Sequence, residues 1–151
     1  AVRLERRVSF MLGDRFSALS MLMDIAVREG DMERAEKIAS AGERTAVLYD
    51  QWGYSPLILP MELAVKKKDA KKSISYIREM LKMLTEPQHM SESVFYCHIY
   101  GKKDFGRKYD EALETYAEKV LPGLLTEMRT EEEYSFLWED EEFQELIRTY
   151  D

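Results

Sequence analysis

A chain of 151 residues with 45% hydrophobic content can bury one core and is too short for two ordinary domains. With 34% charged residues, 7 glycines and 4 prolines, and a vocabulary led by Ala, Leu, Met, Glu, Lys and Arg, it excludes a sheet-rich fold and points to helices. A net charge of −7 argues against nucleic-acid contact by this chain, because phosphate binding needs a positive surface that releases counterions.

In chain order, the first expected helix runs from Val2 to Leu12, with Leu4, Val8, Met11 and Leu12 on one stripe and Gly13-Asp14 as a break. Asp14 caps a second helix whose apolar positions Leu19, Leu22, Met23 and Ala26 keep helical spacing. Gly30 suits the left-handed residue that ends it, and Asp31 restarts the chain as an N-cap with Glu33 in the first turn. A third helix is expected from Met32 to Trp52, stopped by Gly53. Its inner face is small, with Ala35, Ala39, Gly42 and Ala46, as a close helix pair requires.

Ser55-Pro56 opens a fourth helix, in which Pro60 demands a late start or a kink. After Asp69 a fifth helix carries two apolar stripes, Ile74, Ile77, Leu81 and Leu84 on one and Tyr76, Met80 and Met83 on the other, so it should have neighbours on two sides. Thr85 to Met90 reads as a linker stopped by Pro87, Val94 to Tyr100 as a short helix, and Gly101 to Arg107 as the least structured stretch. A strong helix follows from Tyr109, broken or kinked at Pro122-Gly123. The tail holds two short amphipathic pieces, one with Tyr134, Leu137 and Trp138, the other with Phe143, Leu146, Ile147 and Tyr150 behind an Asp140 cap.

One phrase occurs twice. Ala26-Val27-Arg28-Glu29-Gly30-Asp31 returns as Ala64-Val65-Lys66-Lys67-Lys68-Asp69, an offset of 38 residues (64 − 26). Such a period suits a helical hairpin that buries its apolar face by stacking on copies of itself. On these residues the chain resembles the tetratricopeptide repeat family: Leu19, Leu22 and Ala26 fall on first-helix core positions, Gly30-Asp31 on the turn, and Ala35 on the small residue of the second helix. The unit from Ala64 to Leu81 departs at Lys68 and Ser73, and Val47 stands where the repeat ends in proline. The resemblance implies an all-α, right-handed superhelix of tetratricopeptide-like hairpins, about eight helices in a single domain over residues 1–151. Ligands of such repeats lie on the first helix of each pair, which maps to Ser17, Ser20, Asp24, Val27 and Arg28 in one unit and to Ser55, Ile58, Glu62, Val65 and Lys66 in the other.

The tail from Val120 through Ile147 resembles the ending of helical carboxy-terminal domains in bacterial regulators that carry a lambda-repressor-like helix-turn-helix. That resemblance implies a DNA-binding domain before Ala1, consistent with a start that is neither an initiator methionine nor a secretory signal. The chain then reads as a portion of a longer protein. Its expected role is non-enzymatic: a sensory or oligomerising domain of a transcriptional regulator that takes a protein or peptide ligand, with a homodimer as a further partner. A general adaptor is the alternative, and a helical metal-dependent hydrolase a remote one.

Chemical motifs are sparse. Cys97 is the sole cysteine, so no intrachain disulfide forms and a reducing cytoplasm is expected. No apolar run reaches the roughly 18 residues of a membrane span. Cys97 and His98 with His89 could begin a metal site, but structural zinc takes four ligands at tight spacings, and Cys97 as nucleophile with His98 as base is disfavoured because neighbouring helical residues point about 100° apart. A buried thiol and a surface imidazole are the expectation, with no cofactor, metal or catalytic residue. Residues 127–151 carry ten acids against Arg129 and Arg148, a net of −8 that leaves +1 for the rest. Glu131-Glu132-Glu133 and Glu139-Asp140-Glu141-Glu142 fall at expected helix starts, where negative charge complements the dipole. Lys66-Lys67-Lys68 with Lys71-Lys72 falls on a hairpin turn and lacks the interleaved aromatics of a nucleic-acid surface.

Overall fold

Local capping and turn chemistry divide the chain into helices. The computed structural model describes residues 1–86, 92–100 and 103–151, which form seven α-helices and, among the described residues, no strand. They are α1 (Val2–Arg28), α2 (Met32–Leu48), α3 (Ile58–Lys66), α4 (Ala70–Thr85), α5 (Cys97–Tyr100), α6 (Lys103–Thr130) and α7 (Glu141–Thr149). The stop assigned to Pro87, and His89, lie outside the described residues.

Seven helices replace the eight expected because α1 runs unbroken through Gly13. One interior glycine costs a helix about 1 kcal/mol relative to alanine. Nothing crowds Gly13, and its carbonyl accepts a hydrogen bond from Ser17 Oγ at 3.1 Å, so no packing demand forces a turn there. Of the break or kink expected at Pro122-Gly123, the break is absent: α6 continues through both. They are exposed, leaving water to serve the backbone groups that proline disrupts, while Leu125 and Met128 anchor the following turns in the core. Helix α6 also takes in Lys103 to Arg107, part of the stretch expected to be least structured. Pro60 is accommodated by a late start. A 3-10 turn at Ser55–Leu57 precedes α3, so the proline sits in the first helical turn, where its missing N–H is harmless.

The repeated phrase is a complete stop and restart. At its first occurrence Asp31 N donates to Ala26 O at 2.9 Å and Gly30 N to Val27 O at 3.1 Å, with Gly30 at φ 76°. At its second, Asp69 N donates to Ala64 O at 3.0 Å and Lys68 N to Val65 O at 2.9 Å, with Lys68 at φ 52°. This is the Schellman arrangement, in which a left-handed residue turns the chain and serves the last carbonyls. The aspartate then caps the next helix, Asp31 accepting from Arg34 N at 3.0 Å and Asp69 from Lys72 N at 3.1 Å. A third turn of this kind follows Ala46-Val47, with Asp50 at φ 52°. It ends α2 at Leu48, before the Trp52 expected, because Asp50 takes the left-handed conformation ahead of Gly53.

Consecutive helices pack against one another: α1 on α2, α2 on α3, α3 on α4, with α3 also reaching α1. The small face of α2 makes this close. Ala35, Ala39, Gly42 and Ala46 are all buried, and a Cβ on Gly42 would lie 2.3 Å from Leu59 Cδ1. A first core gathers Met23, Ala26, Ala35, Ala39, Leu59 and Leu63. A second joins Met61 and Val65 of α3 with Ile74, Ile77, Met80 and Leu81 of α4 and with Leu125, Met128, Leu137, Phe143, Leu146 and Ile147 of the tail. Helix α4 thus has neighbours on two sides, as its two stripes require. The tail folds back through a 3-10 segment, Glu132–Leu137, whose following Trp138 donates Nε1–H to Met128 O at 3.0 Å. Asp140 caps α7 by accepting from Glu142 N and Phe143 N.

Candidate functional site

Helices α1 and α3 touch, and this brings four of the ten residues selected above into direct contact. Ser20 Oγ donates to Glu62 Oε2 at 3.0 Å, and the Lys66 ammonium stands 3.0 Å from Asp24 Oδ1. The other six are dispersed. Ser17 is exposed and bonded to its own helix, Arg28 is exposed at the end of α1, and Val27 is half-buried against the first core. Ser55 and Ile58 are half-buried at the entry to α3. Val65 is 2% exposed and belongs to the second core, since its carbonyl takes part in the turn that ends α3.

The polar seam is electrostatically tense. Burial raises the Glu62 carboxyl above its ordinary range, Ser20 and Lys66 pull it back, and Asp24 and Glu133 push it further up. Burial also raises Glu127, with the Glu133 and Glu131 charges adding to it. The Tyr134 hydroxyl is raised by burial first and then by Glu133, Glu127 and Glu62. The tail's acids therefore do more than complement helix starts: Glu133 faces α3, a long-range placement that spacing along the chain does not reveal.

Beside the seam, α1 exposes large apolar side chains. Leu4, Met11, Leu22 and Ile25 fall within about 60° of helix circumference at 100° per residue, and Phe10 and Met21 lie between that stripe and the polar seam. All six are exposed, Phe10 at 71% and Met21 at 67%. Of the basic run, Lys66 belongs to the seam through Asp24, while Lys67 meets Glu36 at 2.5 Å and Lys72 meets Asp69 at 3.8 Å.

A separate cluster joins α1 to α5. His98 Nδ1 stands 2.6 Å from Glu5 Oε1 and 3.5 Å from Cys97 Sγ. The expectation that neighbouring Cys97 and His98 point apart does not hold, because Cys97 begins a helix of only four residues and both side chains turn toward α1. The thiol is half-buried rather than buried, and the imidazole is exposed as expected. Glu5, 93 positions from His98 in the chain, carries no sequence signal linking it to them. As a nucleophile the thiol is poorly served: both partners meet the same ring nitrogen, whereas a relay needs one on each. Among the described residues no helix is long and apolar enough to cross a membrane. No family model, curated protein or solved structure matches this chain.

Proposed function

We propose that this chain is a non-enzymatic interaction domain, a right-handed stack of tetratricopeptide-like hairpins that binds a protein or peptide through α1 and the adjoining α1–α3 seam. The observation that carries this reading is the exposed apolar face of α1. Six large apolar side chains on one helix form the kind of patch that soluble chains keep for partners. Terminal units of stacked repeats ordinarily need a polar outer face, and α1 lacks one over much of its length. The Ser20–Glu62 and Asp24–Lys66 pairs would set specificity at the rim, where charges choose partners.

In the finer form of the proposal, this domain is the sensory or oligomerising part of a bacterial transcriptional regulator whose DNA-binding portion is encoded before Ala1. The partner is then a peptide signal or a second subunit. The codons preceding Ala1 test that form: a helix-turn-helix supports it, and a membrane span or catalytic domain contradicts it. The binding claim itself is tested by selecting displayed random peptides on the purified chain. Selected peptides should lose binding to a Met21→Glu, Ile25→Glu variant and keep it with Glu145→Lys on α7. Equal loss on both surfaces, or no enriched peptide, would contradict it.

A further inference from the structure

We propose that Glu5, Cys97 and His98 form a zinc site that clamps the first turns of α1 to α5. The carboxylate oxygen, the sulfur and an imidazole nitrogen lie within 4.8 Å of one another. Zinc bonds of about 2.0–2.3 Å place donors around a tetrahedral ion about 3.3–3.8 Å apart. The Sγ to Nδ1 separation of 3.5 Å already matches, and the Nδ1 to Oε1 separation of 2.6 Å has to open by less than an ångström.

The donor set selects the ion. Sulfur and imidazole nitrogen favour zinc over magnesium or calcium, which prefer oxygen throughout. A thiolate and a carboxylate together cancel the charge of Zn²⁺, while the neutral imidazole adds a third bond. Binding expels the thiol proton. The exposed face of His98 leaves the fourth position to water. A plain His98–Glu5 hydrogen bond would account for two of the three groups but gives the thiol no role at the same nitrogen.

The clamp closes a long loop, since position 5 and positions 97 and 98 are tied while helices α1 through α4 lie between them. It fixes the half of α1 that carries Leu4 and Phe10, without needing any partner to be bound.

The test uses the whole chain, reduced and freed of metal, titrated with Zn²⁺ and separately with Co²⁺. One equivalent of each should bind, Co²⁺ should give the near-ultraviolet absorption of a cobalt–thiolate bond, and Zn²⁺ should raise the midpoint of thermal unfolding. Cys97→Ser, His98→Ala and Glu5→Gln should each weaken Zn²⁺ binding at least about tenfold, since even losing a group that only supports a ligand costs a metal site that much. Unchanged far-ultraviolet circular dichroism would show that the variants fold. Absence of binding at micromolar Zn²⁺ would overturn the site, as would wild-type affinity in Glu5→Gln, which would reduce it to adventitious binding by Cys97 and His98.

Discussion

Ser73 shows how much a single position can be read through the repeat. It stands 38 residues after Ala35 (73 − 35), where the first hairpin has a small apolar residue. Both are 0% exposed, and Ser73 Oγ has no hydrogen-bond partner among the described residues. A buried hydroxyl left unpaired costs about 1–3 kcal/mol. Ser73→Ala should therefore stabilise the protein by about 1 kcal/mol, read as a higher urea midpoint with an unchanged slope; a lower midpoint would mean that the hydroxyl is satisfied in solution. The sequence marked this residue as a departure but gave no sign of its cost. Glu5 is the opposite case. Nothing near it in the chain hints at Cys97 or His98, because their meeting depends on where α5 lands on α1.

Elements were legible where stop and start signals coincide and illegible where a lone breaker had to be weighed against its surroundings. Gly30 with Asp31, Asp69 and Asp140 mark true boundaries, each supported by a cap or a left-handed residue. Gly13 and Pro122-Gly123 are equally disruptive by residue type, yet α1 and α6 continue through them, each at a local cost that a long helix tolerates. The turn after Ala46-Val47 has no signal in the sequence repeat, because it falls outside the 38-residue period and has Asp50 where the first turn has glycine. Two substitutions at equivalent turn positions should move stability in opposite directions. Gly30→Ala places a side chain at φ 76° and should destabilise by about 1 kcal/mol. Lys68→Gly relieves a side chain at φ 52° and should stabilise by about 0.5 kcal/mol after the added freedom of the unfolded chain is counted. Equal signs in chemical denaturation would mean that these turns do not act as equivalents.

Across the whole molecule, the seam between α1, α3 and the 3-10 segment carries a pH signature. Glu62 has a folded-state pKa above its ordinary 4.5, so the folded protein binds that proton more tightly than the unfolded chain. Its contribution to stability is most favourable below 4.5 and declines as pH rises through the raised value. Glu127 acts in the same sense. Asp151, lowered by its hydrogen bond and charge pairing with Arg129, acts in the opposite sense: its contribution is present above its ordinary 3.8 and is lost as acid titrates it below. Glu62→Gln should therefore flatten the fall in stability from pH 4.5 toward neutrality, measured as urea midpoints across that range. A wild-type slope in the variant would place the buried charge elsewhere.

The all-helical class could be anticipated from composition and periodicity, and the matching turns after α1 and α3 from one repeated phrase. The tail's contribution to the second core, and Glu133 beside Glu62, could not, since both depend on contacts made across the fold. The proposed partner surface joins these scales, with apolar residues of α1 beside the Ser20–Glu62 and Asp24–Lys66 pairs. Amide hydrogen exchange with and without a selected peptide tests it most directly. Binding should slow exchange in α1 and at the α1–α3 seam while leaving α7 unchanged; protection confined to α7, or spread evenly over every helix, would contradict it.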